Sequence, residues 1–198
     1  PLETIHRIAE VVRAHGLALH LDGARLFNAV VKTGVSAADY ARPFDTVSFC
    51  LSKGLGAPVG SLVVSDAARV RTLRRLRKVF GGGMRQVGIL AAAGVYALEH
   101  HIARLAEDHA NAHHLATLLQ DIPGVVVDVK SVETNMVMFQ IPRSSKSTEM
   151  LLAECRKAGM LMNAVGDRAF RVVTHLDVDH DDMTAAGLIF RKVFSSSS

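Results

Sequence analysis

The chain has 198 residues, of which 49% are hydrophobic and 5% aromatic with no tryptophan, so its core must be mainly aliphatic, which suits α/β layers better than an all-β sandwich. The net charge of +4 is mild and much of it lies in the run from Arg69 to Lys78, which does not support a nucleic-acid-binding surface over the whole protein. The two cysteines, Cys50 and Cys155, cannot build a disulfide framework, and no apolar stretch reaches the roughly 18 residues of a membrane span.

Helices and short strands alternate along the first part of the chain. Apolar residues at helical spacing predict a helix over residues 2–14, and Gly16 ends it before a strand over 17–21. The next predicted elements are strands over 46–51 and 60–65, a helix over 66–79 with Ser65 as its N-cap, a nearly all-apolar helix over 84–98 and an amphipathic helix over 101–120. The alternation favours a mostly parallel sheet, and we expect the all-apolar helix to be buried.

The dipeptide Pro123-Gly124 breaks this pattern, and we place a domain boundary there. The remaining pattern predicts strands over 125–129, 135–141, 160–163 and 170–174, with helices over 147–158 and 181–194. We therefore expect a large domain over residues 1–122, a small α/β domain over 123–194 and a serine tail at 195–198.

Charged side chains follow two of the predicted strands. Asp22 and Arg25 follow the first strand and Lys53 follows the second, at the sheet edge where ligands bind in open α/β proteins. Lys53 is flanked by Gly54 and Gly56, which let backbone approach a ligand closely, and a lysine buried beside cationic neighbours can act as a Schiff-base nucleophile. From these residues alone, an exposed ion pair of Asp22 with Arg25 stays open, and a solvated loop lysine is the commoner case.

Two more features have a functional and an ordinary interpretation. The glycines at 81–83 precede Arg85, and free N–H groups at a helix start beside this guanidinium would suit an anion such as phosphate. A flexible hinge is the alternative. Arg171 is a charge within an apolar strand, where it is either a carboxylate receptor or, more commonly, the exposed half of a strand alternation.

Two patterns indicate ordinary structure. The basic residues between Arg71 and Lys78 alternate with an apolar stripe at Val70, Leu73 and Leu76, so we interpret them as the solvated face of a helix. His109 and His113 lie one helical turn apart, but the residues between them include no glutamate and no third ligand is evident. We therefore predict no metal site.

Four sequence blocks, taken together, resemble threonine aldolases: HLDGARLFNA at 20–29, CLSKGLGAPVGS at 50–61, RKVFGGGMRQVGILAAAG at 77–94 and RVVTHLDV at 171–178. Their order and spacing cover nearly the whole chain and resemble the C-terminal portion of the low-specificity L-threonine aldolases, within the beta-eliminating lyases. The resemblance implies an aspartate-aminotransferase-like α/β fold, with an incomplete, mostly parallel large-domain sheet and a smaller C-terminal α/β domain.

The resemblance also implies a cofactor and roles for the candidate residues. Lys53 would bind pyridoxal phosphate covalently, Asp22 would face its pyridine nitrogen, and Arg85 would contact its phosphate. Arg25 would contribute to the cofactor site and, together with Arg171, would bind the substrate carboxylate. The implied reaction is retro-aldol cleavage of threonine or allo-threonine to glycine and acetaldehyde. The other cofactor contacts and the hydroxyl base of the family are expected in an N-terminal region outside this sequence.

Two alternatives stay open: another pyridoxal-phosphate-dependent lyase or transaminase of the same fold, and an inactive fragment that retains only the fold and an oligomer interface. The family implies a small β-hydroxy amino acid as substrate and a homo-oligomer, either a dimer or a tetramer. We expect no nucleic-acid or membrane partner, and a cytoplasmic location with a mitochondrial one left open.

Overall fold

The structure, a computed structural model, describes residues 1–195, and the chain divides into two compact units, Pro1–Ala103 and the part from Arg104 onward. The predicted boundary lay at residues 122 and 123. The difference comes from helix Leu105–Gln120, whose buried face belongs to the core of the second unit. Of the predicted serine tail, residues 196–198 lie outside the described part, and Ser195 is the last residue of the final helix.

The first unit is a mixed sheet surrounded by helices. Its elements are α1 (Leu2–Ala14), β1 (His20–Asp22), α2 (Leu26–Thr33), α3 (Ala37–Ala41), β2 (Thr46–Cys50), β3 (Ser61–Ser65), α4 (Ala67–Val79) and α5 (Gly88–His100). The strand order is β1-β2-β3, in which β1 and β2 are parallel and β3 is antiparallel to β2. The predicted strands and long helices are present, whereas α2 and α3 were not predicted.

A small apolar cluster holds the parallel strands against the helices that separate them in sequence. Val47 of β2 is buried against Leu26, the first residue of α2, and Tyr40 of α3. The rings of Phe27 and Phe49 meet edge to face with centroids 5.3 Å apart, an arrangement that aromatic pairs favour. This packing fixes α2 directly after the end of β1.

The N-cap of helix α4 is Asp66 rather than the predicted Ser65. The Asp66 carboxylate accepts a hydrogen bond from the Arg69 N–H at 2.8 Å, which is the contact of an N-cap residue. The Ser65 hydroxyl instead donates to the carbonyl of Asp45 at 2.6 Å and joins β3 to the loop before β2.

Helix α5 contradicts the prediction that its apolar sequence is buried. It begins at Gly88 rather than Met84, and of its residues, all within the described part, Gly94 and Ala97 are the buried ones, whereas Ile89 is 82% exposed. A helix that is apolar all round needs cover on more than one side, and the first unit covers one side. Among residues 1–195 no helix has both the length and the apolar character needed to cross a bilayer.

The β3 side of the first unit also exposes apolar residues. Leu62, Val63 and Val64 of this edge strand are exposed, as is Phe80 at the end of α4. An exposed apolar edge strand is a surface that readily pairs with further polypeptide.

The second unit is an antiparallel sheet packed against three helices. Its elements are α6 (Leu105–Gln120), β4 (Val126–Val127), a 3₁₀ turn (Val129–Ser131), β5 (Met136–Gln140), α7 (Thr148–Lys157), β6 (Asn163–Gly166), β7 (Ala169–Val173) and α8 (His180–Ser195), with strand order β4-β5-β7-β6. Four buried rings, those of Phe139, Phe170, Phe190 and Phe194, form the centre of its core. This unit therefore has a fuller core than the first.

Replacing Phe170 with alanine should destabilise the second unit strongly. Its ring is fully buried and stacks on Phe139 at 5.4 Å, so its removal leaves a cavity that should lower the free energy of unfolding by about 3–5 kcal/mol. Met138→Ala is the matched control, because Met138 lies on the adjacent strand but is 52% exposed. Urea unfolding followed by circular dichroism measures both variants. Equal losses in the two would contradict this core.

Asp45, in the loop before β2, joins three separate segments. Its carboxylate accepts hydrogen bonds from the Leu19 N–H at 2.8 Å and from the Arg13 guanidinium at 2.8 Å, and it forms an ion pair with Arg69 at 3.1 Å. The Leu19 N–H, followed by Arg13, lowers the pKa of Asp45 below its ordinary value of 3.8. The end of α1, the start of β1 and the start of α4 are thus held together by one carboxylate.

Because the pKa of Asp45 is lowered in the folded chain, its stabilising effect should be complete above pH 3.8 and lost as the pH falls below that value. We expect Asp45→Asn to lower the melting temperature at pH 7 and to reduce the fall in melting temperature between pH 5 and pH 2. Thermal unfolding measured across this range tests both. Glu10→Gln, at an exposed position of α1, should reproduce the wild-type curve.

Candidate functional site

The structure places Asp22 and Lys53 at the same edge of the first sheet. β1 and β2 run parallel with Asp22 opposite Ser48, so both strands end at one edge. Asp22 is the last residue of β1, and Lys53 lies three residues beyond Cys50, the last residue of β2. The predicted placement of both residues agrees with the structure, whereas their chemical roles stay predictions.

The turn after Asp22 requires a glycine. The Gly23 N–H donates to the Ser48 carbonyl at 2.8 Å, and a Cβ atom at position 23 would lie 2.9 Å from that oxygen and 3.3 Å from the Leu26 Cβ. One Asp22 oxygen accepts a hydrogen bond from the Ala24 N–H at 3.2 Å. The carboxylate is exposed, and residues 1–195 offer it no other hydrogen bond.

Lys53 lies in a tightly bonded loop between β2 and β3. The Leu51 N–H donates to the Gly60 carbonyl at 2.9 Å, the Ala57 N–H to the Leu51 carbonyl at 3.1 Å, and the Gly56 N–H to the Lys53 carbonyl at 2.8 Å. Gly56 has a φ of 70°, in the left-handed region that glycine adopts without strain. The Lys53 side chain is exposed, and no described residue forms an ion pair with its amine.

Arg25 approaches this loop from the start of α2. It is half-buried and lines a small pocket together with Phe49, Gly54 and Leu55. Its Nε atom is buried, and no acceptor among the described residues bonds to it. A buried N–H without an acceptor is disfavoured by about 1–3 kcal/mol, so this atom marks a place where an acceptor would be stabilised.

The chain returns toward the same edge before Arg85. Arg69, near the start of α4, pairs with Asp45 directly before β2, whereas Phe80, after its end, lines a groove with Ser61 at the start of β3. The helix therefore runs toward the edge at which β1 and β2 end, and Arg85 follows five residues later. Arg85 is exposed in a turn before α5.

The glycine run at 81–83 does not open a helix as predicted. The Gly81 N–H donates to the Lys78 carbonyl at 3.2 Å and the Gly82 N–H to the Arg77 carbonyl at 2.8 Å, so the run closes α4. Gly81, with a φ of 78°, adopts the left-handed conformation common after helix ends. Because the Gly81 and Gly82 N–H groups are used within the helix end, these two do not contribute to the predicted anion site.

Arg171 belongs to the second unit, whereas the other candidate residues belong to the first. It lies in β7 opposite Met138 of β5 and Asn163 of β6, and it is exposed while the preceding Phe170 is fully buried. Arg171 thus occupies the exposed face of an alternating strand, which was one of the two interpretations that the sequence allowed. Its guanidinium has no ion pair within residues 1–195, so it is free to bind a carboxylate.

Within the described part of the chain, no group of three histidine, cysteine or acidic side chains is arranged to hold a metal ion. Both cysteines are free, and burial raises the pKa of the Cys155 thiol to about 11, with Glu154 adding to the rise and Lys146 opposing it. The sequence patterns did not indicate His101, whose ring donates a hydrogen bond to the loop that carries Lys53.

Comparison with known proteins assigns a family. A family model described as beta-eliminating lyase matches residues 1–142. The chain is 42% identical over 192 residues to the low specificity L-threonine aldolase of Escherichia coli strain K12, covering 96% of the chain and 55% of that protein. It is 38% identical over 183 residues to the low-specificity L-threonine aldolase 1 of Arabidopsis thaliana, covering 92% of the chain and 51% of that protein. The chain thus spans about half the length of the curated relatives it matches.

Solved structures show the same fold. A Listeria monocytogenes EGD-E protein described as an L-allo-threonine aldolase aligns with a TM-score of 0.79 at 21% identity, covering 96% of this chain and 56% of that one. The threonine aldolase of Leishmania major aligns with a TM-score of 0.72 at 22% identity, covering 94% and 55%. The predicted α/β fold class is confirmed, although the sheet of the first unit is mixed rather than mostly parallel, because β3 pairs antiparallel to β2.

The side chains at this edge fit the cofactor that the resemblance implies. Lys53 offers a primary amine without an ion pair among the described residues, and Asp22 offers a carboxylate whose single protein donor leaves acceptor capacity free. Arg85 offers an exposed guanidinium for a phosphate, and the unpaired Nε of Arg25 calls for an acceptor. An amine, a carboxylate and guanidinium groups are the chemistry that an aldehyde, a pyridine nitrogen and a phosphate require.

The turn after Asp22 should not tolerate a larger residue. In Gly23→Ala the added methyl group must push the turn away from the Ser48 carbonyl, and we expect the free energy of unfolding to fall by about 1–3 kcal/mol. Gly88→Ala is the control, because a Cβ there meets nothing within 4 Å. Thermal and urea unfolding of both variants decide the matter, and a fully stable Gly23→Ala chain would show that the described approach to Ser48 is wrong.

Proposed function

Because the chain belongs to the beta-eliminating lyase family, we propose that it is part of a pyridoxal-phosphate-dependent aldolase that cleaves threonine or allo-threonine to glycine and acetaldehyde. The observation that carries the proposal is the placement of Asp22 and Lys53 at one sheet edge by the parallel pairing of β1 and β2. The threonine aldolases among its relatives support the choice of substrate.

In this proposal Lys53 binds the aldehyde group of the cofactor and Asp22 binds its pyridine nitrogen. The Lys53 amine binds the cofactor aldehyde covalently, and its exposure makes the amine accessible to both cofactor and substrate. The Asp22 carboxylate keeps a proton on the pyridine nitrogen, and each pKa unit by which it favours that proton corresponds to about 1.4 kcal/mol. When bound, pyridoxal phosphate supplies an electron sink for the pair released as the Cα–Cβ bond breaks.

Arginines bind the anionic groups in this proposal. Arg85 binds the cofactor phosphate, and Arg25 binds the substrate carboxylate, since a guanidinium matches a carboxylate with two parallel hydrogen bonds. The unpaired Nε of Arg25 among the described residues supports this assignment. The role of Arg171, which belongs to the second unit, stays what the resemblance implies. We further propose a homo-oligomer, supported by the exposed apolar residues of α5 and β3. The cytoplasmic location stays a prediction.

A second candidate is a chain that retains the fold but is inactive by itself. The observation that favours it is the exposure of apolar residues of the first unit, such as Val63 and Ile89, together with the exposure of Lys53 and Asp22. A cofactor held in so open a site is poorly shielded from water, which weakens electrostatic interactions.

Labelling of lysines separates the two candidates. The purified chain is incubated with pyridoxal phosphate, its visible absorbance is recorded, and the adduct is fixed with borohydride and mapped by mass spectrometry. We expect a visible band and modification at Lys53, with both lost in Lys53→Ala. Lys32→Ala, at an exposed lysine of α2, should behave as the wild type.

A chain labelled at Lys53 is then assayed for glycine release from threonine. Glycine release supports the aldolase proposal, and specific labelling without it supports the second candidate. Labelling scattered over the exposed lysines, with Lys53→Ala unchanged, would contradict the assignment of Lys53 in this chain.

A further inference from the structure

A histidine outside the predicted site is bonded to the loop that carries Lys53. The Nδ1 atom of His101 lies 2.6 Å from the carbonyl oxygen of Leu55, although the two residues are 46 positions apart. Leu55 is 3% exposed and follows Lys53 by two residues. The contact therefore satisfies a buried carbonyl in the turn that contains the candidate lysine. Without a hydrogen-bond donor, this carbonyl would destabilise the turn.

The chemistry of the two atoms fixes the direction of this hydrogen bond. A carbonyl oxygen can only accept, so Nδ1 of His101 carries the proton and donates, whether the ring is neutral or cationic. The Tyr96 ring packs against the imidazole edge to face, with centroids 5.3 Å apart and an interplanar angle of 85°. The donor is thus held in orientation by its own helix end.

Helix α5 supports the loop at a second point. A Cβ atom at Gly94 would lie 3.0 Å from a methyl carbon of Leu51, so the helix backbone packs closely on the start of the loop. The loop contributes its own bonds, from the Gly56 N–H to the Lys53 carbonyl and from the Ala57 N–H to the Leu51 carbonyl. The turn at Lys53 is therefore fixed by local hydrogen bonds on one side and by α5 on the other.

We propose that His101 is a positioning residue for Lys53: its ring N–H fixes the Leu55 carbonyl and thereby the turn that presents the Lys53 amine. The role assigned to the amine rests on the proposed function, whereas the effect of His101 on the loop does not. A reacting group held in one geometry loses less freedom when it reacts, so a fixed turn favours capture of an aldehyde at Lys53 over other lysines.

Two substitutions separate the hydrogen bond from the bulk of the ring. In His101→Asn the side-chain amide retains a donor close to the position of Nδ1, whereas His101→Leu retains similar volume and removes the donor. His100→Leu is the matched control, because the neighbouring His100 side chain is 55% exposed and forms no hydrogen bond to the loop within residues 1–195.

Amide hydrogen exchange measures the loop without any cofactor. In His101→Leu we expect the Gly56 and Ala57 amides to exchange about tenfold faster, as the loss of one buried hydrogen bond implies. Exchange in β2 should change little, which distinguishes loop release from general destabilisation. His101→Asn should restore most of the protection, and His100→Leu should match the wild type.

Competitive labelling measures the consequence for the amine. The ratio of borohydride-fixed pyridoxal phosphate at Lys53 to that at Lys32 should fall several-fold in His101→Leu and recover in His101→Asn. Unchanged loop exchange, faster exchange that extends equally through β2, or an unchanged labelling ratio would overturn the positioning role.

A wild-type chain without preference for Lys53 would contradict the proposed function instead. In that case the exchange measurement alone decides the structural part of the proposal. Faster exchange confined to the loop and rescued by asparagine supports it, and unchanged exchange overturns it.

Discussion

The parallel pairing of β1 with β2 is the constraint on which the candidate site depends. It aligns Asp22 with Ser48, so a carboxylate that ends one strand and a lysine that follows the next lie at one edge. Gly23 allows the close approach of the turn to the Ser48 carbonyl, and the cluster around Val47 fixes α2 behind it. Each of these features serves the same register, because a shift by one residue would turn Asp22 to the other face.

Local patterns in the sequence were sufficient to predict the long helices and strands and the sheet edge at which the candidate site lies. α1, β2, β3 and most of the second unit follow from apolar spacing and from turn residues, and the strand pattern predicted that Asp22 and Lys53 lie where β1 and β2 end. The short helices α2 and α3 were missed because they have too few turns for a periodic signal, and their stability comes from packing at Leu26 and Tyr40.

The remaining errors concern tertiary contacts, which no local pattern contains. The apolar sequence of α5 indicated burial, but burial depends on what covers the helix, and Ile89 is exposed. The sequence of the glycines at 81–83 is compatible with the end of α4 or with the start of the next helix. Their hydrogen bonds to the carbonyls of Arg77 and Lys78 show that they end α4. Helix α6 was assigned to the first domain, because the sequence does not show that Leu115 and Leu119 pack with the phenylalanines of the second unit. The bond from His101 to Leu55 was invisible for the same reason.

The proposed site depends on the action of Asp22 on the ring nitrogen of a cofactor held by Lys53. The most direct test fixes pyridoxal phosphate labelled with ¹⁵N in its ring onto Lys53 with borohydride and follows the ¹⁵N chemical shift of the ring nitrogen against pH. We expect this nitrogen to retain its proton to a higher pH in the wild type than in Asp22→Asn, because the carboxylate stabilises the cationic ring. Identical titration curves in the two chains would show that Asp22 does not face the ring and would contradict the site proposed for this sheet edge.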